Sequence, residues 1–234
     1  MKRNKDMLKQ KVLILDTTLR DGEQTSGVSF TETEKLSLAK ILLDEVKVDR
    51  LEITSARVSQ GEKNAAHRII KWARGAGYLD KIEILGFVDQ YASVKWIQEV
   101  GGKVMNLLAK GSLKHLKGQL RKTPEEHIES LTDTINYASS FGIQVNLYLE
   151  DWSNGMLQSR DYLFQLMDAL QSRSIMRFML PDTLGILQPS QTALYVKEMT
   201  QRYPHLKFDF HAHNDYDLSV ANVLEAVKAG ASCI

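Results

Sequence analysis

His211 and His213, in the run Phe210-His211-Ala212-His213-Asn214-Asp215, stand two residues apart. On a β-strand that spacing turns both imidazoles to one face, because side chains alternate with period two. A second burst of charge closes another apolar run near the N-terminus, Leu15-Asp16-Thr17-Thr18-Leu19-Arg20-Asp21-Gly22-Glu23-Gln24, and supplies the carboxylate of Asp21. One carboxylate with two same-face imidazoles makes an N,N,O donor set for a divalent cation, with open positions for substrate. Taken alone, an HxH pair is more often a surface feature, and an aspartate after a strand more often caps a turn. Two such clusters, each ending an apolar run, favour the metal reading.

The elements that must position these groups follow from hydrophobic pattern. Short apolar runs predict strands at 12–15, 50–53, 82–87, 103–108, 145–149, 176–180 and 207–210, with 232–234 opening one more. The first run, Val12 to Leu15, is continuous and reads as a strand buried on both faces. Between the strands lie helical signals. Thr31 and Glu34 form a capping box ahead of a stripe of Leu36, Leu38, Ala39, Ile41, Leu42 and Val46. Further helices are predicted over 62–74, 91–100, 123–140, 160–171, 192–202 and 218–228, with a long loop through Lys110 to His115. Pro124 with Glu125 and Glu126 suits a helix start, and Gly101 and Gly142 suit helix ends.

Strict alternation of strand and helix argues a parallel sheet with helices outside. Seven units and the start of an eighth predict an α/β TIM (β/α)8 barrel that stops before strand 8 is complete, over a single domain of residues 1–234. A doubly wound open sheet is the alternative, but no glycine-rich phosphate loop follows the first strand. Arg20, Asp21, Glu52, Glu150, Asp182, His211 and His213 fall near or just after strand ends, where barrel enzymes keep their active sites. A barrel ending here is expected to leave an unpaired edge, so the chain reads as truncated or as the ordered part of a longer protein.

Composition narrows the class. The chain has 234 residues, 43% of them hydrophobic and 25% charged, with a net charge of +1. That balance gives no footprint for nucleic acid or a membrane surface. The single cysteine, Cys233, excludes an internal disulfide framework and suits a reducing compartment. The Lys/Arg-rich stretch 1–10 precedes too few apolar residues for a signal peptide. A cytoplasmic protein is expected, as a homodimer.

Three motifs in order carry a likeness. Asp16 to Gln24 with Gly27-Val28-Ser29-Phe30, then Pro181-Asp182-Thr183-Leu184-Gly185, then His211-Ala212-His213-Asn214-Asp215, resemble the signatures of the α-isopropylmalate, homocitrate and citramalate synthases. These belong to the DRE-TIM metallolyases, and the resemblance spans residues 11 to 234. It implies a metal-dependent enzyme that condenses acetyl-CoA, as co-substrate, with a 2-oxo acid. By the same resemblance Asp21, His211 and His213 are metal ligands for Mg, Mn or Zn. Arg20, Glu52 and Glu150 are catalytic, and Arg20, Gln24 and Thr183 bind substrate. Glu23-Gln24 and Asn214-Asp215 favour a synthase over the lyase, aldolase and carboxyltransferase relatives.

The residues admit other roles. Glu52 can pair with a nearby Lys or Arg, Thr183 can cap the loop after Asp182, and Asp16 reads as an acceptor for backbone donors. Lys110, Lys114 and His115 offer a basic loop for a CoA phosphate, or a solvated one. Two departures from the family pattern are expected. Asn106 stands where many members carry a histidine, and a further ligand asparagine, with a regulatory domain, would lie past Ile234. A carbon–carbon bond-cleaving relative of the HMG-CoA lyase or aldolase type is the alternative enzyme. A non-catalytic metal- or partner-binding barrel fragment is the alternative of another class.

Overall fold

A computed structural model describes residues 11–234, so the expectation for the basic stretch 1–10 lies outside the described residues. Seven strands form one sheet in the order β1-β2-β3-β4-β5-β6-β7. They are β1 (Leu15–Asp16), β2 (Arg50–Ser55), β3 (Ile82–Gly86), β4 (Val104–Lys110), β5 (Gln144–Glu150), β6 (Arg177–Asp182) and β7 (Phe208–Ala212). Pairing is parallel between β1 and β2, β2 and β3, β3 and β4, and β6 and β7. The fold is the α/β barrel class that alternation predicted.

The helices between them are α1 (Glu32–Lys40, running on as a π-helical turn Ile41–Val46), α2 (Gln60–Ala76), α3 (Ala92–Val100), α4 (Leu113–His115, running on as a π-helical turn Leu116–Leu120) and α5 (Pro124–Ser140). After β5 come α6 (Trp152–Gln158) and α7 (Arg160–Leu170), then α8 (Pro189–Arg202) and α9 (Ser219–Lys228). None of the described helices is long and apolar enough to cross a membrane. The chain's contacts gather into two compact units. One holds Ile14–Leu108 and Leu131–Asn146; the other holds Ala109–Ser130, Leu147–Ile234 and residues 11–13.

Local signals explain most boundaries. The Thr31 side chain accepts from Glu34 N while Glu34 answers at the Thr31 N–H, the reciprocal box that opens α1. Thr123 and Glu126 exchange the same two bonds ahead of α5 (2.8 and 3.2 Å), and Gly101 closes α3 at φ 83°.

Two expectations change. The first strand is short and half-exposed rather than buried on both faces, and Ile14 is 49% exposed. An apolar run reports strand propensity and does not count the helices packed over it. Second, the buried stripe of α1 is Lys35 and Ala39, continued by Leu43, while Ile41 and Val46 face solvent. Lys35 takes a core position because its ammonium meets Glu23 and Glu62, each at 2.6 Å, and the Leu19 carbonyl at 3.1 Å. The run 232–234, expected to open one more strand, does so. Ser232 N donates to Phe208 O and Phe210 N to Cys233 O, while Leu13 N donates to Ser232 O and Ile234 N to Leu13 O (2.7–3.0 Å). The last three residues thus pair both with β7 and with Leu13, as one more parallel strand would.

Candidate active site

In the unit that holds β1 to β3, the site is built outward from Arg20. Its Nε donates to Glu52 Oε2 at 2.6 Å and its Nη1 to Asp21 Oδ1 at 2.7 Å, so two carboxylates fix the guanidinium plane. Glu52 is fully buried on β2 and also accepts from Asn106 Nδ2 on β4 at 2.7 Å. Asn106 in turn accepts from Asn146 Nδ2 on β5 at 2.8 Å. A buried carboxylate costs several kcal/mol unless paired and hydrogen-bonded, and this run of contacts meets that need. An irregularity of the β2–β3 register lies between Glu52 and Thr54. A bulge re-aims side chains; here Glu52 reaches Arg20 and Asn106, whereas Thr54 donates to Glu62 on α2. Asp16 accepts from the N–H and hydroxyl of Thr18, the structural role expected of it.

Behind this frame Arg50 and Glu83 form a buried pair at 2.5 Å. Burial raises the Glu83 pKa, and the Arg50 charge opposes that rise. Gln24 lies exposed on the one-turn 3-10 helix Gly22–Gln24, at the rim of a 330 Å³ cleft with Arg20 on its wall.

In the other unit, His211 and His213 follow one another along the end of β7. Their rings stack with centroids 5.0 Å apart at 29°, and both are part-exposed. That is the same-face arrangement the HxH spacing predicted, and Tyr148 packs edge-on against His211 with centroids 6.1 Å apart. The β6 end lies in register beside it, Pro181 opposite His211 and Asp182 opposite Ala212. Asp182 spends its carboxylate on the N–H groups of Ile186 and Leu187 at 3.1 and 3.0 Å. Gly185 has φ +58°, and a Cβ there would sit 2.8 Å from Asp215 N and Oδ2. Only glycine fits, which is why the Pro-Asp-Thr-Leu-Gly turn and the His-Ala-His-Asn-Asp turn occur together.

Glu150, at the end of β5, is ion-paired with Lys110 at the end of β4. Gly111 brings them together: its N–H donates to Glu150 O at 2.6 Å, and a Cβ on it would meet Leu149 O at the same distance. Lys110 is therefore a buried ion-pair partner rather than part of a solvated basic loop. Neither is His115 free: it lies 3.5 Å from the buried Asp151, which also accepts from Ser112 Oγ at 2.6 Å and Asn154 Nδ2 at 2.8 Å. Lys114 alone of the three is exposed. Thr183 Oγ1 accepts from Asp151 N at 2.9 Å, which leaves its own O–H to donate; it does not cap the loop after Asp182. The sequence gives no signal for the Asn106–Asn146 contact or for Lys35, because neither residue type marks a core site.

Residues 11–234 match the HMGL-like family. The chain belongs to that family. Among curated HMGL-like relatives, the homocitrate synthase of Sulfolobus acidocaldarius is 37% identical over 234 residues, covering 98% of this chain and 48% of the relative. The homocitrate synthase of Sulfurisphaera tokodaii is 37% identical over 228 residues, covering 96% of this chain and 48% of the relative. The chain thus spans about half the length of the curated relatives it matches. Among solved structures, an HMG-CoA lyase from Acinetobacter baumannii in complex with coenzyme A and 3-methylmalate superposes with a TM-score of 0.72. It is 20% identical and covers 95% of this chain and 73% of that one. At that identity the superposition speaks for the HMGL-like fold alone.

Proposed function

We propose that the chain carries the catalytic site of a metal-dependent enzyme that condenses acetyl-CoA with a 2-oxo acid. The observation that carries the reading is the likeness to homocitrate synthases at 37% identity over 98% of the chain, with Arg20 already locked in plane by Asp21 and Glu52. By the sequence resemblance, Asp21, His211 and His213 would hold the divalent cation, Mg, Mn or Zn. The donor set of two imidazoles and a carboxylate fits such an ion. When bound, it supplies Lewis-acid polarisation of the oxo group.

The chain's own residues do the rest. Arg20 presents a planar fork to the oxygen on which negative charge grows as the carbon–carbon bond forms. Glu52 is fully buried and bonded on both oxygens, so it positions Arg20. Glu150 retains 24% side-chain exposure and is held in place by the Lys110 ammonium, and it is the carboxylate assigned here to take a proton from the acetyl methyl group. Gln24 and the Thr183 hydroxyl are donors for the substrate carboxylate. Residues 1–234 act as one catalytic domain in this reading. A cytoplasmic homodimer is proposed with it, supported by the exposed Leu194, Val220 and Leu224 on α8 and α9.

The test is release of free CoA. Protein, a divalent cation, acetyl-CoA and a panel of 2-oxo acids are mixed with a thiol reagent. Thiol release that needs both the cation and an oxo acid is the expected result. No release, with cleavage of a hydroxyacyl-CoA instead, would replace condensation by the lyase reaction.

A further inference from the structure

Lys35 opens the buried stripe of α1, ahead of Ala39 and Leu43, and is 1% exposed. A leucine or methionine would fill that position, and apolar groups in place of a buried ion network are often neutral or stabilising for a fold. What an apolar side chain lacks is direction. The three N–H donors of the ammonium meet three acceptors: Leu19 O at 3.1 Å, Glu23 Oε2 at 2.6 Å and Glu62 Oε2 at 2.6 Å. The first two belong to the segment that carries Arg20 and Asp21, one on either side of them. Glu23 also accepts from Phe30 N at 2.9 Å, while the N–H groups of Arg20, Asp21 and Gly22 all converge on Thr17 O at 2.8–3.2 Å. The third acceptor leads to the sheet. Glu62 accepts from Thr54 Oγ1, and Thr54 follows Glu52 along β2.

We infer that Lys35 is a positioning residue for Arg20, tying the segment that carries the guanidinium to the strand that carries its partner Glu52. One arm of the contacts runs through Leu19 and Glu23 to Arg20, and the other through Glu62 and Thr54 to Glu52. The Arg20–Glu52 bond of 2.6 Å closes the ring. Without the ammonium, Glu23 and Glu62 stand as like charges with no cation between them, and they push the segment off the strand. Arg20 moves with its segment, and its Nε leaves Glu52. The consequence for catalysis rests on the proposed reading of Arg20, in which a misplacement of about 1 Å costs on the order of a hundredfold in rate. The positioning itself stands without that reading.

NMR of the chain labelled at its arginine nitrogens reads this geometry without turnover. The Nε–H signals of Arg20 and Arg50 are assigned by their loss in Arg20→Lys and Arg50→Lys. Arg50 is the control, since its Nε donates to Glu83, outside the Lys35 contacts. Lys35→Met should quicken solvent exchange of the Arg20 Nε–H at least about tenfold and leave that of Arg50 within about twofold, as a local opening does and a global loss of stability does not. In the thiol-release assay Lys35→Met should lower kcat at least about tenfold with little change in the Michaelis constant, yet cost less than about twofold in the Arg20→Lys background. If Lys35→Met fails to fold, Glu23→Gln, which leaves Lys35 paired with Glu62, carries the same comparisons. Exchange that quickens equally at both arginines, or at neither, overturns the inference, and so does an equal loss of kcat in both backgrounds. A parent chain that releases no thiol overturns the condensation reading instead, and the exchange comparison still decides whether Lys35 holds Arg20.

Discussion

In the proposed reading Arg20 is the residue on which the chemistry turns, because its geometry is settled before any substrate arrives. With Nε on Glu52 and Nη1 on Asp21, the guanidinium cannot swing, and an arrangement of donors that needs no reorganisation is where electrostatic stabilisation is largest. Arg20→Lys keeps the charge and loses the fork. Turnover should fall about a hundredfold to a thousandfold while the Michaelis constant for the oxo acid changes little, the sign of an interaction made in the transition state. Steady-state kinetics decide it: a rise in the Michaelis constant alone would make Arg20 a binding group. The candidate residues were legible from the chain, since Arg20, Asp21, His211 and His213 each close an apolar run. Their partners were not. Lys35 and Lys110 look like solvated lysines in sequence, and only the carboxylates brought to them through the fold make them buried ion pairs.

At the level of elements, two turns hold the site in shape. Gly185→Ala forces a Cβ into Asp215 and a side chain into φ +58°. The loss should exceed about 1 kcal/mol in urea unfolding, with weaker cation binding as the turn after His213 shifts. Unchanged unfolding would show that the turn tolerates a Cβ. His127 on α5 accepts the Lys110 N–H at 3.1 Å and so pins the end of β4 as a neutral ring. Burial, with Lys122 and Lys110 nearby, lowers its pKa to about 4 from 6.5. The folded state therefore stays neutral where the unfolded chain takes up a proton. This contribution is complete above pH 6.5 and is lost as pH falls toward 4, reaching about 3 kcal/mol. His127→Gln, which keeps an acceptor, should flatten that part of the stability–pH curve. If the curves for both proteins fall in parallel, another group is titrating. The helices read from sequence were those with a polar and an apolar face. Trp152–Gln158 escaped because its first five residues are all buried and Asp151 enters it at φ 63°, which leaves neither periodicity nor an ordinary cap. Leu113–His115 had one usable sign, Ser112 as its N-cap.

Over the whole molecule, alternation of seven apolar runs with helical stripes was enough to give the class of sheet and the strand order, because a parallel neighbour needs a crossover helix. The run 232–234, read as opening one more strand, pairs as one: Ser232 bonds both Phe208 and Leu13, Cys233 accepts from Phe210 N, and Ile234 bonds Leu13. The central proposal is that Asp21, His211 and His213 are ligands of one divalent cation. Calorimetric titration of Mn²⁺ into the chain and into Asp21→Asn, His211→Ala and His213→Ala measures that directly. The account predicts one ion per chain and affinity reduced at least about tenfold in every variant, Asp21→Asn included. Asp21→Asn binding Mn²⁺ as tightly as the parent, with both histidine variants weakened, would contradict it.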